Sequence, residues 1–594
     1  MTVESRRAAA FVRAYWEDFP QALQVSGAQF DQGPAAFEQA VARAWNIRDA
    51  KRVVAAAEAA AARGGLSPDL CIKAMISLYP HDRVDQQLRL ANDPAVAAIR
   101  LSKLMFHRSR ALAAAGLWRE ARAVADEAFG ARPALAAAAE LVRALDEVGR
   151  TSGIAAGSKD WADHARHLDA VMALRAHGEA RAIAERACRL PIPKKRNRMR
   201  DLCRVLDAGL SYGLEVSAVA AVLAAAREAH PEDASVRALQ LDCDVMQGHA
   251  ALAVARAESE PPPDDAYHDG AWDYALANAR LEAGHTLAAA TDLGALSLAH
   301  PRHLEMRASL AFAVGEAVLQ GVPRRPRAPR PRKIISVFPF NDELALLKIR
   351  LHEMAQWVDH FILVEAAQTF VGNPKPLAYA EHIEHFAAFQ SQIVHVTVDS
   401  FPDHVSTHWA RDFYQRDAAA VALSELCSDR DLVLITDVDE IVDRRALEGF
   451  EGDFARLHMP LHRFFLNYRP LPGNRARNGR AGAVWRADTL GRYGLSYARF
   501  HLSRLEKDWA RILDAGWHFS SLGDAERIAR KYANYAHQES GKGLEALRER
   551  SSVEVLLNEL QRGHVQEGWE RCEIDDAFPA YIREHRDELS SLIL

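Results

Sequence analysis

Cysteine is sparse in this 594-residue chain: six residues (Cys71, Cys188, Cys203, Cys243, Cys427 and Cys572), none in a Cys-x-x-Cys or Cys-x-His spacing. That scatter argues against a zinc ribbon or a disulfide framework and makes reduced thiols in a cytoplasmic compartment the expectation. No run of roughly 18 apolar residues occurs, so no membrane span is expected. The first residues, Met1 to Phe19, lack the apolar stretch of a signal peptide. A formal net charge of -6 over this length shows no concentrated basic excess, which disfavours a nucleic-acid partner. Two glycine motifs are also missing, the G-x-G-x-x-G of dinucleotide binders and the G-x-x-x-x-G-K-[ST] phosphate loop. Any diphosphate must therefore be held by side chains and a cation, a task that suits arginine.

What is present falls into two grammars. Residues 1–320 are rich in alanine, leucine, glutamate and arginine, strong helix formers with almost no strand-like alternation. A loose pattern recurs in which a turn glycine is followed by alanines three to four apart and then a proline. It runs from Gly116 to Pro133, Gly178 to Pro191, Gly248 to Pro261 and Gly284 to Pro301. Small residues let paired helices approach, glycine tolerates a left-handed turn, and proline ends the second helix. The pattern resembles degenerate tetratricopeptide repeats, which implies a helical solenoid; the alternative is an irregular all-helical domain. Residues 321–333 hold four prolines and six basic residues in thirteen positions, the composition of an extended linker.

Residues 334–594 alternate. Ile334 to Phe340, Phe361 to Ala366, Ile393 to Val398 and Leu432 to Thr436 are short apolar, β-branched runs suited to strands buried on both faces. Helical segments lie between them: Asp342 to Trp357, about Ala380 to Phe389, and His408 to Leu426. This order predicts a doubly wound α/β sheet, whose ligands bind beyond the carboxyl ends of the strands. The fourth strand leads into Asp437-Val-Asp439-Glu440. Carboxylates at i and i+2 of an extended segment share a face and can converge on magnesium or manganese. The competing role for the pair is a cap on the segment from Asp443.

Several ordered blocks carry a more specific resemblance. They are Val337 to Arg350, Val358 to Glu365, Thr369 to Lys375, Arg411 with Gln415-Arg416-Asp417, Thr436 to Ile441, Gly516-Trp-His518-Phe-Ser and His537-Gln-Glu539. Over roughly residues 333–545 the chain resembles glycosyltransferase family 17. The resemblance implies a GT-A (Rossmann-like) catalytic domain and an inverting, metal-dependent N-acetylglucosaminyltransferase-like activity. It implies a nucleotide-sugar donor such as UDP-N-acetylglucosamine, and a glycan or protein-linked acceptor.

Roles follow from the resemblance residue by residue. Asp437, Asp439 and His518 become metal ligands, with His518 alternatively a hydrogen-bonded core residue. Donor contacts fall to Asn341, Glu343, Glu365, Lys375, Arg411 and Arg416. For these the alternatives are helix caps, salt bridges or plain solvation. Arg350 stands as a salt-bridge partner. Asp514 and Glu539 are the candidate bases for the acceptor hydroxyl. The chain departs from the animal enzymes in lacking a membrane anchor and in carrying the helical half, so their bisected N-glycan acceptor is not carried over. The helical half is expected to recruit a protein or glycan-carrying partner. The competing function is a scaffold that binds a nucleotide sugar without turnover.

Overall fold

A computed structural model describes residues 3–594 apart from 82, 130–135, 264–269, 323–331, 449, 473, 475–477, 492, 503–510 and 538–541. Most of the expected linker and the candidate base Glu539 lie outside the described residues. The chain divides into two compact units that meet between His285 and Thr286. The composition changes at 320, but the packing changes at 285. Helices Thr286–Ala299 and Leu304–Leu319 belong to the second unit.

The first unit is helical throughout its described residues, from Val3–Tyr15 to Ala271–Glu282. Consecutive helices pack on their neighbours. Gly116, Gly248 and Gly284 take the left-handed conformation at three of the expected turns. The fourth is corrected: Gly178 lies inside the helix His177–Ala187, and the left-handed residue is Arg175, at φ 56°. Trp161, Leu168, Val171, Ile183, Leu202, Leu206 and Leu223 share one buried cluster. Alanines 121, 125, 180, 184 and 187 fill the narrow gaps between those helices.

The second unit is built on a mixed sheet. Its strands are β1 (Ile334–Phe340), β2 (His360–Ala366), β3 (Ile393–Val398), β4 (Leu432–Ile435), β5 (Glu440–Val442), β6 (Phe454–Arg463), β7 (Tyr468–Pro470), β8 (Asn478–Arg486), β9 (Arg511–Ile512), β10 (Gly516–Ser520) and β11 (Trp569–Arg571). The main sheet runs β3-β2-β1-β4-β8-β6-β10-β5, with β9 beside β6, while β7 and β11 form a separate ribbon. The expected strands are adjacent and parallel. β8 is antiparallel to β4, so beyond the four expected strands the sheet is mixed. The segment predicted helical over 380–389 is a short helix, Ala378–Glu381, and a 3-10 turn, Ile383–Phe389.

Strand succession reverses between β1 and β4, which leaves a crevice beyond their carboxyl ends. β4 pairs with β1 only as far as Val337↔Ile435, and Thr436 donates its amide to the Val337 carbonyl. Pro339, two residues on, faces the same side past the end of that ladder. Its missing N–H therefore breaks no ladder bond, and a proline is tolerated in an interior strand.

Candidate functional site

The crevice is lined by the turn Asp437-Val438-Asp439-Glu440, which several buried groups hold in place. Glu440 reaches back so that its Oε2 accepts the Asp437 amide at 2.7 Å. Arg350, on helix Leu344–Met354, is fully buried. Its Nη1 donates to the carbonyls of Asp437 (3.0 Å) and Glu440 (2.7 Å), and its Nη2 donates to Ser336 Oγ and Thr436 Oγ1. Burial lowers the Arg350 pKa to about 9 against the pull of Glu440, Asp437 and Asp439, which leaves it a cation at neutral pH. Arg499, on helix Leu495–Phe500, grips the turn from another side. It donates to the Ile435 carbonyl, to both Glu440 carboxylate oxygens (2.8 and 3.0 Å) and to Asp437 Oδ2 (2.8 Å).

Asp437 also faces Arg416, with Oδ1 3.0 Å from Nη1. Burial would raise its pKa, but the Arg499 and Arg416 guanidiniums outweigh that and hold the carboxyl far below the ordinary range. Arg416 in turn pairs with Asp412 at 3.2 Å and donates to the Thr436 carbonyl. Asp439 is buried (6% exposed) and looks the other way. Its Oδ2 accepts from Lys531 Nζ at 3.0 Å, and its Oδ1 lies 3.7 Å from His518 Nε2. β10 brings His518 there by pairing with β5, His518 opposite Glu440, and the Phe519 amide donates to the Asp439 carbonyl.

The expected donor-binding residues divide. Glu343 lies at the crevice, with its Oε2 accepting the amides of Asn341 and Asp342 and its Oε1 3.9 Å from Lys531. Lys375 donates to the Asn341 carbonyl at 3.2 Å. Its pKa is lowered by burial, in spite of Glu365, Glu343 and Asp342 nearby. Glu365 is wholly buried, accepts the Tyr379 amide and lies 3.1 Å from His395 Nε2, so its carboxylate is spent inside the fold. Arg411 donates to the Phe370 carbonyl and packs on Gly372, bracing the 369–375 loop. Asp514 is exposed at φ 50°, and its neighbour Ala515 hydrogen-bonds to Asp443 and His458. It lies four residues before His518, ahead of the start of β10.

Arg499 and Lys531 were missed by sequence reasoning, and Glu440 and Arg350 had been given no positioning role. Lys531 carries one legible signal: Arg527, Arg530 and Lys531 are spaced i, i+3, i+4 on one helix face.

Among the described residues no group of three or more His, Cys, Asp or Glu side chains is arranged to hold a metal ion. Asp439 and His518 nonetheless present one oxygen and one nitrogen to each other at one edge of the crevice. Magnesium and manganese commonly take one or two protein ligands, with waters and substrate phosphates completing the shell. The pair fits such a half-site.

The site is thus an acidic turn at the reversal of a mixed α/β sheet, walled by arginine and lysine. Comparison makes the likeness specific: residues 321–555 match the model of glycosyltransferase family 17. The chain is similar to beta-1,4-mannosyl-glycoprotein 4-beta-N-acetylglucosaminyltransferase from Rattus norvegicus, Homo sapiens and Mus musculus, each at 29% identity over 150 residues. The match takes in 23% of this chain and 28% of each relative's length, so the chain spans just over a quarter of these relatives. No described helix is long and apolar enough to cross a membrane.

Proposed function

We propose that the C-terminal unit is a GT-A-type, metal-dependent inverting glycosyltransferase. On this reading it moves a sugar, N-acetylglucosamine first among candidates, from a nucleotide-sugar donor to a glycan or protein-linked acceptor. The observation that carries the reading is the turn 437–440. Three buried arginines and Glu440 fix its backbone and its Asp437 carboxylate at the crevice, whereas a chance Asp-x-Asp on a solvated loop would have no such support.

In the reaction, an acceptor hydroxyl oxygen bonds to the anomeric carbon as the bond from that carbon to the diphosphate breaks. The hydroxyl proton passes to a carboxylate base. Asp439 and His518 would hold magnesium or manganese, which supplies charge neutralisation for the departing diphosphate. Asp437 and Glu343 line the donor site, Asp437 with its orientation set by Arg416 and Arg499 before any ligand arrives. Asp514 and Glu539 are the two candidates for that base. The helical unit, read as tetratricopeptide-like, would recruit the acceptor. The six free thiols suit a reducing, cytoplasmic location.

Screening nucleotide sugars for donor hydrolysis with and without manganese tests the reading. Hydrolysis is expected to need the metal and to fall by about 100-fold or more in both Asp437→Ala and Asp439→Ala. A second reading has its own support: Asp342, Asp437 and Asp439 are each already paired with arginine or lysine, as a binding scaffold would tolerate. Donor binding without hydrolysis would select it.

A further inference from the structure

Helix Ala525–Asn534 opens with Asp524, whose Oδ1 accepts the Arg527 amide at 2.8 Å. Ile528, Ala529 and Tyr532 form its buried face and pack in a cluster with Phe464, Phe465, Tyr468, Val553 and Leu560. Burial of that face fixes the helix rotation, and with it the direction taken by the basic residues beside it. Arg527 Nη2 reaches the Asp342 carbonyl (2.9 Å) and carboxylate (3.3 Å), and Arg530 Nη2 reaches Asp342 Oδ2 at 2.9 Å. Lys531 Nζ sits 3.0 Å from Asp439 Oδ2 and 3.9 Å from Glu343 Oε1.

One helix therefore supplies three cations to the acidic residues that follow β1 and β4, where the strand order reverses. The partners differ in freedom. Asp439 is anchored in a braced turn, whereas lysine carries its charge on a flexible four-carbon stem and remains about one-third exposed (31%). A diphosphate entering the crevice offers a stronger and more accessible anion than a carboxylate that already has a second side chain, His518, within 4 Å.

We propose that Lys531 is an exchangeable counter-ion. In the donor-free protein it neutralises Asp439; when a nucleoside diphosphate enters, it moves to the phosphates and leaves that carboxylate to the divalent cation. The inference rests on the donor-site reading above. It makes Lys531 a competitor of the metal without nucleotide and a partner of it with nucleotide. By linkage, nucleoside diphosphate should then tighten manganese binding, and manganese should tighten nucleoside diphosphate binding by the same factor.

The test uses the full chain, the Lys531→Met and Lys531→Gln variants, and two probes, manganese alone and UDP alone in EDTA, measured by titration calorimetry. Removing the competing ammonium should tighten binding of manganese alone by about 5- to 10-fold, the reverse of what simple damage does. Binding of UDP in EDTA should weaken by roughly 10-fold or more, the loss of one charge-assisted phosphate contact. Lys531→Arg, which keeps the charge, should stay near the parent for both probes. Unchanged or weaker manganese binding in both charge-removing variants overturns the exchange, as does unchanged UDP binding. A parent protein that binds manganese and UDP while the variants match it refutes the exchange alone. A parent that binds neither probe, separately or together, refutes the donor-site reading and the exchange with it.

Discussion

At the scale of single residues, the site depends on side chains that need never touch substrate. Arg350 spends its donors on two backbone carbonyls and two hydroxyls, so its work is to hold the shape of the turn. Arg350→Met would take a buried charged donor from those acceptors, a loss of roughly 3–5 kcal/mol for a broken buried network. The expected outcome is a lower unfolding midpoint together with weakened donor binding. Arg350→Lys should rescue poorly, because one ammonium cannot reproduce a planar fork; denaturant melts and donor titration check both. Asp417 offers a pH signature. Burial raises its pKa to about 6, even though its Oδ1 accepts the Leu495 and Ser496 amides. A carboxyl with a raised folded-state pKa binds its proton more tightly in the native state than in the unfolded one. Stability attributable to it is therefore full below its ordinary pKa of 3.8 and falls as pH rises through about 6. Asp417→Asn keeps an acceptor for both amides and removes the charge. Its unfolding free energy relative to the parent should move in its favour by about 3 kcal/mol from pH 3.5 to pH 7, measured by urea melts across that range.

At the scale of elements, the crevice exists because β4 is short and β10 pairs with β5 in one register. Gly516 opens β10 at φ 143°, and a Cβ there would come within 2.0 Å of the Ile441 carbonyl oxygen. Gly516→Ala should therefore push β10 off β5, costing at least about 2 kcal/mol of stability, and should carry His518 away from Asp439. Calorimetric melting reads the first effect, and manganese binding the second. The strands β1, β2 and β4 were legible because runs such as Phe361 to Val364 are buried on both faces and are continuously apolar. The antiparallel half was not. β6 contains His458, His462 and Arg463, and β8 holds Arg486, so no clean apolar run announces either strand. Lys531 was hidden for a related reason. A basic helix face reads as solvated until the acidic partners across the crevice are known.

At the scale of the whole molecule, the division at 285 has a consequence for fragments. Within the second unit Gly294 lies against Thr407, the Arg307 guanidinium stands 4.1 Å from the Trp409 ring centre, and Phe312 meets Tyr497 edge-on at 5.3 Å. A fragment of residues 286–594 should unfold cooperatively, whereas one starting at 321 exposes that apolar face and should aggregate or melt several degrees lower. Side-by-side thermal scans decide this. The sequence by itself determined the helical first half, the β-α succession of the second, the acidic motif at a strand end and the resemblance to the family. Each of these is written in local periodicity or in short ordered blocks. Tertiary structure alone decided which cations meet which carboxylates, because Arg350, Arg416, Arg499 and Lys531 arrive from four separate helices. It decided too that Glu365 is spent inside the fold, and that helices 286–319 pack with the second unit. Pairing between residues tens to hundreds of positions apart is set by how elements pack, and no local pattern encodes it.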